Sequence, residues 1–371
     1  MGIADNILKK INHSTEPLYI CSGADRMAKV PDLRIEAILY NAPALLQGNA
    51  AAKNASEIIT KNNIPITILD SGGMQIFGVN TGNSKKWKDY DPDGSKQCSI
   101  GKTLHLAPEH VGEALSRIPG FSHCMALDDP VLPSNDPFEC ERNFYKKIQR
   151  NVDFAIKTVE IRNDKFQKVK VFMPMQCQSL DHFDIMWERV NTIGLDGVSV
   201  PARCFKKTSK LLPIIRRFID AGIDGMHILG SSRLEIVALI GFLAKKGCFS
   251  HLAFDSSTWL AAANNGRVVT PYSLKNIRAS DGRYTETIAA LMELDPIYSE
   301  YGLQNFQLMS QKEQTRQLRT LNYWAISKTK HDIFENSDSV ESLCTFLEAQ
   351  DVHESDISNV HSLLNHMSKM S

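Results

Sequence analysis

Short apolar runs recur along the chain, and each ends in small or polar residues. Eight of them read PLYICSG (17–23), EAILYNAP (36–43), PITILDSGG (65–73), FSHCMALDDP (121–130), VKVFMPMQCQ (169–178), LDGVSVPAR (195–203), DGMHILGSS (224–232) and HLAFDSSTW (251–259). Runs this short, closed by turn residues, predict buried strands. Between the later runs lie helix-period stretches such as NFYKKIQRNVDFAIKTVEIR, HFDIMWERVNTIG, KLLPIIRRFIDAG and RLEIVALIGFLAKKG. Several close on a Gly just past the last apolar position, a common C-terminal stop. Eight strands alternating with helices predict an α/β fold, a (β/α)8 TIM barrel, ahead of an open doubly wound sheet. The phosphate loops of the latter, GxGxxG or GxxxxGKS/T, do not occur.

Two stretches break the alternation. Residues 78–105 are polar and turn-rich, which predicts an insertion or loop between two barrel strands. Beyond about residue 280 the pattern becomes helical and charged, clearest in QKEQTRQLRTLNYWAISKTKHDIF, and ends in two short helices. The expected division is a barrel over 1–280 and a helical C-terminal extension over 281–371, packed on the barrel.

Composition adds bounds. With 371 residues, 43% hydrophobic and 23% charged, the chain can bury a sizeable core as an ordinary soluble protein. Lys plus Arg and Asp plus Glu both number 42, so net charge gives no hint of a polyanionic partner, although a local basic face is enough for one. The chain lacks a long apolar run, and MGIADNILKKINHSTEP is too polar for a signal peptide, so no membrane partner is expected. Eight scattered Cys without a CxC or CxxC pair argue against a zinc ribbon and for a reduced, cytoplasmic setting.

The candidate chemistry sits where the strands end. In a barrel the C-terminal strand ends converge on one mouth. Here they supply Asp70, Asp128 with Asp129, Gln176, Val200, Leu229 with Gly230, and Asp255. Each carboxylate alone suits a turn or helix cap. Several at one mouth repel one another unless they share a ligand, a proton or a metal. An oxygen-rich cluster suits Mg or Mn, which leaves a metal-dependent hydrolase as one reading. His105, His123, His182, His227 and His251 stand isolated, without zinc-ligand spacing. Basic groups that could meet phosphates are Lys85, Lys86 and Lys88 around Trp87; Arg203, Lys206, Lys207 and Lys210; and Asn264, Asn265 and Arg267.

Over roughly residues 35–270 the chain resembles the tRNA-guanine transglycosylases. The family motif DSGG(F/Y)Q is matched by DSGGMQ (70–75), and TPE followed by MAFDE by LAPEHVGEALSRIPGFSHCMALDDP (106–130). FGIVQG is matched by FMPMQC (172–177) and GFDGYAIGG by GLDGVSVPA (194–202). YLMGVG is matched by HILGSS (227–232), and FDCVxPTRxxRNGxxFT by FDSSTWLAAANNGRVVT (254–270). The resemblance implies a (β/α)8 barrel that exchanges a guanine in a polynucleotide for a 7-substituted 7-deazaguanine, such as 7-cyano-7-deazaguanine. It needs no cofactor and leaves the backbone intact. It makes Asp255 the nucleophile at the sugar C1′ and Asp70 the general acid and base. It places Ser71 beside them and has Asp128 accept from the base N1–H and exocyclic amine. Gln176 and a backbone N–H near Val200 then donate on the O6 and 7-substituent side. Met74 and Leu229, next to Gly230, sandwich the ring, and Lys206, Lys207, Asn265 and Arg267 contact the polynucleotide.

The departures narrow the expectation. The family's zinc site, Cys-x-Cys-x-x-Cys with a later His, is missing, with Asn322 at the His position, and so is the Pro-Thr-Arg after the nucleophile. Retained catalysis with altered tRNA-associated features resembles the DNA-guanine transglycosylases of bacterial and phage 7-deazaguanine systems. The expected partner is therefore DNA. A tRNA-acting enzyme without the zinc site and a non-catalytic subunit of a tRNA transglycosylase are the alternatives, and accessory proteins or a homodimer remain open.

Overall fold

A computed structural model describes residues 16–22, 35–46, 49–62, 64–72, 99–100, 104–105, 107–118, 120–131, 134, 136–202, 205, 208–278, 306 and 308–369. Its centre is a closed barrel of eight parallel strands. They are β1 (Leu18–Ser22), β2 (Ala37–Asn41), β3 (Ile66–Asp70), β4 (His123–Met125), β5 (Lys170–Pro174), β6 (Gly197–Pro201), β7 (Gly225–Leu229) and β8 (His251–Asp255). The order around the barrel is β1-β8-β7-β6-β5-β4-β3-β2. Every one lies inside an apolar run named above. Their near-continuous apolar character follows from burial on both faces, as a sheet wrapped by helices requires. By contacts the chain divides into a central unit, Glu36–Leu229, and a terminal unit, Met1–Ile35 with Gly230–Ser371.

The central unit holds β2 to β7 and the helices between them. These are α1 (Ala42–Leu46), α2 (Asn49–Asn62), α3 (Pro108–Arg117), α4 (Pro137–Lys165), α5 (Leu180–Val190) and α6 (Leu212–Asp220). Helix starts are set locally: the Asp136 carboxylate accepts from Phe138 N–H, and Ser179 Oγ accepts from His182 N–H. Gly194 and Gly222 follow α5 and α6 at φ of 89° and 68°, the left-handed stop expected of glycine. Between β3 and β4, Ser99–Ile100 and Leu104–His105 pair as a small antiparallel ribbon. The rest of the expected 78–105 insertion lies outside the described residues. Phe172 of β5 takes space that two glycines leave open. A Cβ on Gly197 would come within 2.5 Å of its ring, and one on Gly225 within 2.6 Å.

In the terminal unit β1 and β8 run parallel, with Tyr19 opposite Phe254 and Ile20 opposite Asp255. Around them lie α7 (Leu234–Lys245), α8 (Thr258–Asn264), a ribbon of β9 (Arg267–Val269) and β10 (Asn276–Arg278), and α9 (Gln311–Glu335), α10 (Val340–Ala349) and α11 (Glu354–Lys369). Helix α9 starts with a capping box between Ser310 and Glu313. It packs on α7, α8, β1 and β9, and α11 packs on α7, so the C-terminal helices cover barrel elements of their own unit. Tyr19 stacks on both Phe254 and Tyr323, at centroid distances of 4.9 and 5.1 Å. The expected boundary near residue 280 falls outside the described residues. Among those residues no helix is long and apolar enough to cross a membrane.

Candidate active site

In the central unit the ends of β3, β4 and β5 bring one polar group together. Asp70 is the last residue of β3 and half-buried, and Ser71 directly after it is fully buried. Ser71 Oγ donates to Asp128 Oδ1 at 3.1 Å, and Gln176 Nε2 donates to Asp128 Oδ2 at 2.6 Å. Gln176 Oε1 accepts from the Val131 N–H at 3.1 Å, so the amide links the segment after β4 to the segment after β5. Asp128 is buried, and its pKa is pushed up to about 7. Burial is the main cause and the neighbouring Asp70 charge the second, while the Ser71 and Gln176 donors act the other way.

Asp129, the next residue, meets a different fate. Lys147 Nζ lies 2.9 Å from Oδ1 and Arg150 Nη1 2.8 Å from Oδ2. The Asn151 side chain accepts from its N–H at 2.6 Å and donates to its C=O at 3.1 Å. Lys147 also donates to the Pro130 carbonyl at 2.8 Å. One face of α4 thus fixes residues 129 and 130, and with them the backbone of Asp128. Sequence reasoning missed this clamp. Its signal is the 147, 150, 151 spacing, which puts a Lys, an Arg and an Asn on one helical face. Of two adjacent aspartates, one is neutralised by two cations and one faces hydroxyl and amide donors.

The other expected residues are placed as follows. Val200 lies wholly inside the core of β6, and Leu229 ends β7 half-exposed. In the terminal unit, Asp255 ends β8 half-buried, and the Gly230 N–H donates to its Oδ1 at 3.2 Å. Gly230 has φ of 77°, a conformation suited to glycine, which turns this N–H toward the carboxylate. Asn265 is exposed at the end of α8, and Arg267 opens β9 half-buried. Met74, Lys206 and Lys207 lie outside the described residues, as do Lys85, Lys86, Trp87, Lys88 and Arg203. Asn322 is completely buried: its Nδ2 donates to the carbonyls of Trp259 and Arg267 at 3.2 and 3.0 Å, and its Oδ1 accepts from Val269 N–H at 2.7 Å. Among the described residues no group of three or more His, Cys, Asp or Glu is placed to hold a metal. His182 is a packing histidine, stacked on Phe144 at 3.7 Å with Nε2 2.9 Å from Glu141.

Fold and residues together define a (β/α)8 barrel whose carboxylates stand at the C-terminal ends of its strands, the ends where such barrels carry their chemistry. No protein-family model matches the chain, and no curated protein matches it.

Proposed function

We propose that the chain is a base-exchange transglycosylase that replaces guanine in DNA with a 7-deazaguanine through a covalent aspartyl-glycosyl intermediate. The observation that carries this reading is Asp128. It is a buried carboxylate without an ion pair among the described residues, held by Ser71 and Gln176 beside a second carboxylate, Asp70. A buried acceptor of this kind is costly unless a ligand brings donors to it. The N1–H and exocyclic amine of guanine form such a donor pair.

The roles follow from the chemistry. Asp255 attacks C1′; the new bond to its oxygen forms as the bond to guanine breaks, and the oxocarbenium-like charge is stabilised by the carboxylate. Asp70 gives its proton to the leaving base. It then takes one from the incoming 7-deazaguanine, whose nitrogen attacks C1′ and frees Asp255. The Gly230 N–H, fixed on Oδ1, orients the nucleophile. The choice of DNA is supported by Asn322. Where the resemblance expects a zinc-binding His, a buried amide instead bonds three backbone groups.

The test is incubation with radiolabelled guanine and either duplex DNA or tRNA, scoring which polymer gains label. Label in DNA is expected. Label in tRNA alone transfers the same chemistry to the other polymer, and label in neither removes the exchange reading.

A further inference from the structure

We propose that the terminal unit carries a phosphodiester-binding site formed by Arg267, Arg319, Asn264 and Asn265, which grips the polynucleotide strand beside the reacting nucleotide. The inference rests on the reading of a nucleic acid as substrate and adds a docking place separate from the base pocket. Residues 256–278 contain no Asp or Glu but include Arg267, Lys275 and Arg278. In a chain with 42 basic and 42 acidic residues, such a stretch is a local positive surplus. Lys275 is neutralised by Asp356 at 2.7 Å. Arg267 forms no ion pair among the described residues, and its Nε is buried without an acceptor. A guanidinium N–H shielded from water is satisfied when a ligand supplies the missing oxygen.

The site stands on fixed backbone. Arg319 Nη2 donates to Asn264 Oδ1 at 2.7 Å, joining α9 to the end of α8. One turn further along α9, Asn322 bonds the carbonyls of Trp259 and Arg267 and the N–H of Val269. Arg267 and Arg319 are therefore held by elements tied to one another. The ribbon register also sets Arg278 opposite Arg267. Guanidinium forks match the oxygens of a phosphodiester in pairs, and the neutral amides add donors without repelling it. Helix α8 begins three residues after Asp255, and its 7 residues rise about 10 Å. That is roughly three nucleotides of strand at 3.4 Å each. The phosphates gripped are accordingly those flanking the target.

The experiment is fluorescence anisotropy with a fluorescein-labelled DNA duplex over a salt series. It uses the full chain, Arg267→Gln, Arg319→Gln, Arg267→Lys and Asp255→Asn, with thermal melts to check folding. Each Gln variant should bind roughly tenfold more weakly at about 0.1 M salt, and its log-affinity against log-salt slope should flatten by about 0.9. Arg267→Lys should keep the slope, and Asp255→Asn should bind like the parent. Folded Gln variants that match the parent in affinity and slope overturn this site and leave the exchange chemistry standing. A parent that binds neither the duplex nor a labelled tRNA overturns the nucleic-acid reading beneath it.

Discussion

Asp128 and Asp129 are neighbours in sequence and opposites in electrostatics. Asp129 is compensated by Lys147 and Arg150, whereas the burial of Asp128 next to Asp70 raises its pKa to about 7. A carboxyl that binds its proton more tightly in the folded state makes folding most favourable below its unfolded pKa, near 4. That contribution is lost as pH rises toward 7. The loss from this group is on the order of 4 kcal/mol across that window. Urea denaturation of Asp128→Asn should show a much flatter pH dependence between about pH 4 and 7 than the parent. An unchanged slope means that another group titrates there. The same proton governs binding. An anionic Asp128 accepts from a base donor pair, so affinity for free guanine should rise about tenfold per pH unit up to about 7 and then level off. Equilibrium dialysis across that range reads it directly. In Asp128→Asn the plateau should be lower and the pH dependence gone, because the amide turns a donor toward the base.

At the scale of elements, the barrel depends on a few close approaches. Ala at 197 would drive its Cβ into the Phe172 ring and the Gly225 carbonyl, 2.5 and 2.7 Å away. Gly197→Ala should therefore lower stability by about 1–3 kcal/mol, seen as a lower urea midpoint with an unchanged m-value. Asn322→Leu should cost more, about 3 kcal/mol or above, because two carbonyls and one N–H lose their buried partner. A Leu variant as stable as the parent would show that these bonds contribute little.

The strands were legible because each is a short apolar run closed by Asp, Ser, Gly or Pro, and period alone reveals that. The same endings pointed to Asp70, Asp128, Gln176 and Asp255. What stayed hidden depends on partners distant in sequence. Nothing local in VKVFMP shows that Phe172 needs glycines 25 and 53 residues later. Nothing in ALDDP shows which aspartate α4 will neutralise, since Lys147, Arg150 and Asn151 meet Asp129 only after α4 packs.

For the whole molecule, zero net charge means that any hold on a polyanion comes from local surfaces such as that around Arg267, so nucleic-acid binding should fall steeply with salt. An attack on C1′ by a strand-end carboxylate also requires the nucleotide to leave its stack, at a cost of a few kcal/mol that backbone contacts offset. The most direct test of the central claim is a covalent trap. Protein and labelled duplex DNA are quenched in denaturant during turnover, resolved on a denaturing gel, and the linked peptide is mapped by mass. The account predicts a protein–DNA band with the sugar on Asp255, absent from Asp255→Ala, whose exchange rate should drop by roughly 10⁴-fold or more. A band that survives in a folded Asp255→Ala protein, or exchange at the parental rate without Asp255, contradicts it.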